Sequence, residues 1–361
     1  MAPKSLPEAL CREAWEAVAT TGTLAAAARK LDEHRETVKH RYHEGIRRFG
    51  WQDVLRSAFS AKAYEEPPRF TPPDLADASE DIEVWLDRRE IEFARKKAAS
   101  DAREWMEFTI NEVAPFALVF VGDPHGDDDG CDISLLRRHV ALIEQTPGMF
   151  GVGMGDWVNA WVGRLERLYG EQATTKAQGW RFAEWLLGKE FWLLMLLGNH
   201  DLWHGAGSPL RWMSRGHAVI SDWQAKFQVR CGDKTWRIWA AHDFPGHSIW
   251  NRLHAPGRRA ALTGHSADLL IAAHRHCFGL AEQQDEHTGK VSWLARAKGY
   301  KASDTYAANL GYGQAQDRGH SIVAVCDPAT GRMTCFSDVE EAARYLTWLR
   351  RPRVRVPAVA A

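Results

Sequence analysis

Phe116-Ala117-Leu118-Val119-Phe120-Val121-Gly122-Asp123-Pro124-His125 is an apolar run that breaks on a glycine and then delivers a carboxylate and an imidazole. Six apolar residues are too few for a buried helix and suit a strand covered on both faces. The pattern recurs down the chain. Phe150–Gly155 reads FGVGMG, 191–198 reads FWLLMLLG, 236–242 reads WRIWAAH and 269–274 reads LLIAAH. Between the first runs lie stretches with helical spacing, 134–145 and 175–187, and 320–326 reads as one more strand. Short apolar strands alternating with amphipathic helices predict an α/β layered domain with its sheets in the middle.

Each run ends on residues that bind divalent ions. The ends are Asp123 and His125, then Gly155-Asp156, then Gly198-Asn199-His200-Asp201, then His242-Asp243, and last His274-Arg275-His276. The carboxyl ends of buried strands are where side chains leave a sheet to meet a ligand. Mixed imidazole, carboxylate and amide oxygen suits Mn²⁺, Fe and Zn²⁺ alike. Taken singly, each motif has an ordinary reading as a turn, a helix cap or a structural histidine. Five in succession, all after strand-like runs, do not reduce to that. The acidic run Asp127, Asp128 and Asp129 reads either as a solvated loop or as acceptors that orient His125.

The order D-x-H, G-D, G-N-H-D, H, H-x-H resembles the calcineurin-like metallophosphoesterase superfamily over about residues 116–327, and the layout is similar to phage- and prophage-type members and to DNA-repair exonucleases. The resemblance implies a four-layer α/β/β/α metallophosphoesterase sandwich. It also implies two divalent ions, Mn²⁺ first, with Fe, Zn²⁺ or Ni²⁺ as alternatives. Carried over by position, Asp123, His125, Asp156 and His276 hold one ion. Asp156 bridges to the second, which Asn199, His242 and His274 complete. Asp156 and His200 then form the catalytic pair: the bridging carboxylate sits beneath a metal-bridging hydroxide, and His200 serves the leaving alkoxide.

Two departures from the family pattern carry information. Ala273 stands where the last motif usually has glycine, so a positive φ at that position would be strained. Asn159 and Ala160 replace the acidic and basic residues of G-D-x-V-D-R-G in protein phosphatases of the superfamily, which argues against a phosphoprotein substrate. Arg258, Arg259 and Arg164 are candidate phosphate contacts, with a solvated surface as the alternative. His247 and His265 read as structural or capping residues.

Upstream, Leu10, Ala14, Ala17 and Val18 form an apolar stripe at helical spacing. Thr23 can cap a helix from Leu24 to Leu31, and after a break at Asp32–His34 a second helix from about Arg35 carries Val38, Tyr42 and Ile46 on one face. This spacing resembles small helix-turn-helix DNA-binding domains. Arg35, Lys39 and Arg41 are its candidate nucleic-acid contacts, and a partner-binding three-helix module is the alternative. The expected organisation is a helix-turn-helix domain over 1–52, a proline-containing linker and long amphipathic connecting helix over 53–113, the metallophosphoesterase domain over 114–340, and a helix end with a basic tail over 341–361.

Bulk properties set limits on this reading. A formal net charge of −1 over 361 residues means that nucleic-acid binding needs a local basic patch. Six cysteines without a CxxC pair, and no leader segment, fit a reduced cytoplasmic protein, bacterial or phage-encoded. No apolar run approaches the ~20 residues a bilayer span needs, so no membrane partner is expected. The expected function is phosphodiester hydrolysis of nucleic acid, DNA rather than RNA. The alternatives are a small-molecule phosphoesterase with a partner-docking N-terminal domain, and a DNA-binding regulator with a weakly active metal domain.

Overall fold

The computed structural model describes residues 6–55, 80–203, 209–214, 218–301 and 318–351. The proline-rich stretch 64–75 and nearly all of the basic tail lie outside the described residues. The chain divides into two compact units, Met1–Asp81 and Ile82–Ala361.

Among the described residues the first unit includes the helices α1 (Glu8–Thr21), α2 (Leu24–Leu31) and α3 (Arg35–Phe49). The Thr23 hydroxyl accepts from the Ala26 N–H and starts α2. Asp32 ends α2 in the left-handed conformation, and the His34 ring accepts from the Glu36 N–H to start α3. Ala14, Val18, Ala27, Val38 and Tyr42 make a small buried core, the face that the apolar spacing predicts.

The second unit begins with α4 (Ile82–Asp101), which buries none of its residues, so it lacks the apolar packing face expected of an amphipathic connector. Met106–Ile110, in the stretch read as linker and connecting helix, is strand β1 and pairs in parallel with β6. The remaining strands are β2 (Phe116–Val121), β3 (Met149–Gly153), β4 (Trp192–Leu197), β5 (Val219–Asp222), β6 (Gln224–Cys231), β7 (Lys234–Ala241), β8 (Leu269–Ala272), β9 (Gly279–Gln284), β10 (Val291–Arg296), β11 (Ser321–Asp327) and β12 (Arg332–Phe336). They form two six-stranded sheets, ordered β1-β6-β7-β8-β10-β9 and β12-β11-β2-β3-β4-β5.

Among the described residues, the α-helices of this unit after α4 are α5 (Ile133–Gln145), α6 (Lys176–Leu187), α7 (Asn199–Leu202), α8 (Leu210–Met213), α9 (His254–Leu262) and α10 (Val339–Leu349). Strand β2 shows how the sequence makes layers. Phe116, Leu118 and Phe120 enter the core between the sheets, while Ala117, Val119 and Val121 enter the core beneath α5, α6 and α10. Alternate residues of a strand face opposite ways, so a run that is apolar at every position must be covered twice. Each large side chain buried this way contributes roughly 1.5–3 kcal/mol. On the outer face of the first sheet, Trp239, Leu270 and Leu294 pack with Ala255 and Ala260 of α9. The result is the four-layer α/β/β/α sandwich. Strands β2, β3 and β4 are parallel neighbours in one sheet, as are β7 and β8 in the other. No helix among the described residues is long and apolar enough to cross a membrane.

Candidate metal centre

Every ligand candidate follows directly on one of those five strands. Asp123 and His125 follow β2, Asp156 follows β3, Asn199 opens α7 after β4, His242 follows β7, and His274 and His276 follow β8. His125, Asp156, His274 and His276 all take positive φ, between 43° and 63°. Such conformations cost non-glycine residues on the order of 1–3 kcal/mol each and persist only where the surroundings enforce them. Ala273 has no positive φ and packs in the core between the sheets, so the expected strain at this alanine is absent; the left-handed turn falls on its neighbour His274. Glycine is required elsewhere. Gly155 has φ 98°, and a Cβ on Gly198 would overlap Asp156 Oδ1.

The side chains gather in two groups, one of Asp123, His125 and His276 and the other of Asp156, His242 and His274, and a third, of His125, Asp156 and His200, overlaps both. His125 Nε2 and His276 Nε2 approach Asp156 Oδ2 at 3.7 Å and Asp123 Oδ2 at 3.8 Å respectively. In the second group, His242 Nδ1 donates to the Met154 carbonyl at 2.8 Å, which turns Nε2 inward. That nitrogen lies 3.2 Å from Asp156 Oδ2, 3.1 Å from Asn199 Oδ1 and 3.1 Å from His274 Nδ1. Asp156 Oδ2 therefore faces both groups. Its other oxygen is held by the His200 N–H at 3.0 Å.

These residues fit a metal better than they fit one another. Asp123 Oδ1 and His125 Nε2 are fully buried without a hydrogen-bond partner, and both residues belong to the candidate metal groups. Orphaned polar atoms are costly in a protein interior. A pair of divalent ions coordinated by the two groups would satisfy both. The electrostatics agree. Burial, reinforced by the Asp156 charge against the opposing effect of His242, pushes Asp123 up to about 8. Burial would also suppress ionisation of Asp156, but the neighbouring His242, His200 and His125 outweigh it and hold this carboxyl below the usual range. Burial and the nearby His200 push His125 well down, so its imidazole is neutral, as a ligand must be. Burial acts the same way on His242, yet Asp156 and Asp123 overcome it and raise this histidine to about 10. A bound cation would displace that proton.

Neighbours beyond the ligands set their geometry. Asn159 Oδ1 meets His125 Nδ1 at 2.9 Å, and its amide nitrogen donates to Asp128 Oδ2 at 3.0 Å. Asp128 in turn pairs with Lys301 at 3.0 Å. Asp127 is buried and accepts the Asn159 N–H at 2.6 Å, so two of the three acidic residues serve the site, while exposed Asp129 caps the Ala173 N–H. His200 Nδ1 donates to the Asn159 carbonyl at 2.5 Å, its Nε2 lies 4.0 Å from Asp156 Oδ2, and its ring packs on Trp203. Asn159 thus positions both histidines. Asp201 is fully buried and accepts the N–H groups of Asp156, Trp157 and Gly198, which locks the second and third motifs together. It stood in plain view within G-N-H-D, but nothing in the spacing shows that its partners are backbone amides.

The arginine candidates fare differently. Arg259 lies over the Trp239 ring, 5.1 Å from its centroid, on the outer face of the first sheet, so its guanidinium is committed to packing. Arg258 is exposed on α9 and donates to the Pro245 carbonyl, and Arg164 is exposed on the 3₁₀ helix Gly163–Glu171. His265 is buried in a left-handed turn that closes α9, while His247 is exposed. In α3, Arg35 is exposed. Lys39 and Arg41 are not the open contacts expected: their side chains are only 15% and 16% exposed, and they pair with Glu36 and Glu33.

No protein-family model matches the chain, and no curated protein matches it. Solved structures share parts of the architecture at low identity. An archaeal phosphodiesterase is 12% identical over 61% of this chain and 99% of its own, with a TM-score of 0.31. A calcineurin-like phosphoesterase from Bacillus subtilis is 10% identical over 66% and 99%, with a TM-score of 0.31. The NAD nucleotidase of Haemophilus influenzae is 10% identical over 62% of this chain and 49% of that one, with a TM-score of 0.34. Likeness at this level says nothing about substrate.

Proposed function

We propose that the chain is a dinuclear metal-dependent phosphoesterase that hydrolyses phosphodiester bonds of nucleic acid. The observation that carries the hydrolase reading is the pair of ligand groups meeting at Asp156 Oδ2, with Asp123 Oδ1 and His125 Nε2 buried beside them and unpartnered. Two divalent ions there would supply Lewis acidity toward phosphate oxygens and an acidified water. The chain's own residues do the rest. Asp156 holds the two groups in register. Asn159 fixes the His125 tautomer by accepting the Nδ1–H hydrogen bond on its Oδ1, which leaves Nε2 as the ligand atom. His200 donates a hydrogen bond from Nδ1–H to the Asn159 carbonyl, which turns Nε2 toward the cluster; as an imidazolium it could pass its Nε2 proton to a leaving alkoxide.

The nucleic-acid part of the reading draws on helices α2 and α3, whose spacing resembles that of a helix-turn-helix reader, with Arg35 exposed at the start of α3. The pairing of Lys39 and Arg41 with glutamates favours a second reading, a small-molecule phosphoesterase whose N-terminal unit docks a partner. Turnover of bis-p-nitrophenyl phosphate against p-nitrophenyl phosphate, with Mn²⁺, Fe²⁺, Zn²⁺ or Ni²⁺, tests the activity. The diester should be preferred, and no turnover of either ester with any of these metals defeats the hydrolase reading. A panel of single-strand, duplex, nicked and RNA substrates then separates the two readings. Cleavage of none of them, with the small diester still hydrolysed, selects the second.

A further inference from the structure

Beside the metal centre lies a crevice lined by His247, Ser248, Asn251, Arg252, Arg275 and Arg296. It adjoins the centre through the chain itself, because Arg275 sits between the ligands His274 and His276. Arg296 is its buried anchor, only 3% exposed. Its guanidinium donates to the Arg252 carbonyl at 3.0 Å, to the Ala273 carbonyl at 2.5 Å and to Asp243 Oδ1 at 3.0 Å. One residue thereby ties the 245–253 loop to the strand ends that present His242 and His274. Arg275 takes the other oxygen of Asp243 at 3.0 Å. Two guanidiniums, those of Arg275 and Arg296, thus share one carboxylate, and with Arg252 on the same lining the crevice carries an excess of positive charge.

The loop also presents an aromatic ring. Ser248 Oγ accepts the N–H groups of Trp250 and Asn251, and Asn251 Oδ1 accepts the Leu253 N–H, which builds a tight turn. At its tip Trp250 is 91% exposed. An indole left in water next to a cationic crevice matches the two needs of a single nucleic-acid strand, whose phosphates seek guanidinium and whose bases seek a flat apolar face. Duplex bases are stacked and paired, and offer no face to such a ring.

We propose that this crevice and Trp250 form a subsite for single-stranded nucleic acid, holding a phosphate next to the scissile one while the adjoining base stacks on the indole. The inference rests on the phosphodiesterase reading and deepens it. The test compares kcat/KM for a single-stranded thymidine tetranucleotide with kcat/KM for bis-p-nitrophenyl phosphate, using the full chain loaded with Mn²⁺, its metal content measured alongside. Trp250→Ala should lower the ratio by on the order of fivefold to a hundredfold, through KM, and Trp250→Phe should restore most of it. Arg252→Gln should lower the ratio as well, by a factor that shrinks as salt rises. An unchanged ratio in Trp250→Ala overturns the proposal. So does an equal loss on both substrates, which would make Trp250 a support of the fold, and so does a short duplex cut as fast as its separated strand. If the parent protein hydrolyses the small diester but spares the oligonucleotide, this inference fails alone. If it hydrolyses neither, the phosphodiesterase reading fails first.

Discussion

The strand ends of the sandwich and the surface of α3 both offer clustered polar side chains, and they differ in what the backbone does with them. At the strand ends the chain is forced into left-handed turns at His125, Asp156, His274 and His276, and these side chains gather in overlapping groups that could hold metal ions. Along α3 the backbone is regular, and long side chains choose their own partners: Lys39 and Arg41 turn to Glu36 and Glu33. Residue type therefore predicts chemistry well where main-chain geometry leaves little choice. On a helix surface, where glutamates compete for the same cations, it predicts poorly.

The comparison can be broken from its strong side first. Asp156→Asn removes the oxygen shared by both ligand groups, and its metal content should collapse. The loss in bis-p-nitrophenyl phosphate turnover should exceed the ~10⁴-fold upper range for a missing general acid. Metal analysis with steady-state rates checks it; retention of a full metal complement would separate the two groups and undo the shared-oxygen picture. His200→Ala should keep its metal and lose roughly 10²–10⁴-fold in kcat, and metal loss alongside would make His200 a ligand rather than a proton carrier.

A smaller effect is expected one step out from the ligands. Asn159→Ala frees the His125 ring and should weaken metal affinity by about 10–100-fold, read by competition with a chelating dye. On the weak side, Arg35→Gln should reduce the salt dependence of duplex binding by about one unit of the log–log slope. Arg41→Gln should change it by less, because the Arg41 side chain is only 16% exposed whereas Arg35 is exposed. Fluorescence anisotropy of labelled duplex over a salt series ranks the pair, and an equal or reversed ranking would return α3 to the status of an open basic face.

Much of this molecule was legible from its sequence for a physical reason. Runs such as FALVFV are apolar at every position, so they could only be strands covered on both faces, and the polar residues after them had to emerge at an edge. Strands with mixed faces were harder. Gln224–Cys231 alternates buried with less buried positions, and Met106–Ile110 is a short edge strand in a charged neighbourhood, so neither stands out in the chain. The role of Asn159 was hidden because its partner is set by tertiary approach: its amide serves His125, and only its carbonyl reaches His200. Arg296 does not stand out in the sequence because an arginine late in a strand looks like surface, and its three acceptors come from distant segments.

The ligands are divided between the two sheets. Asp123, His125, Asp156 and Asn199 come from strands of one, and His242, His274 and His276 from strands of the other. Bound ions would act as rivets through the open edge of the sandwich, where the apolar core gives way to buried histidines and carboxylates. Since the unfolded chain has no such site, occupancy becomes thermal resistance: metal at a thousand times its dissociation constant adds about 4 kcal/mol to the unfolding free energy. Chelation should then lower the melting temperature, and heat should open the sandwich first along the edge that carries these histidines and carboxylates.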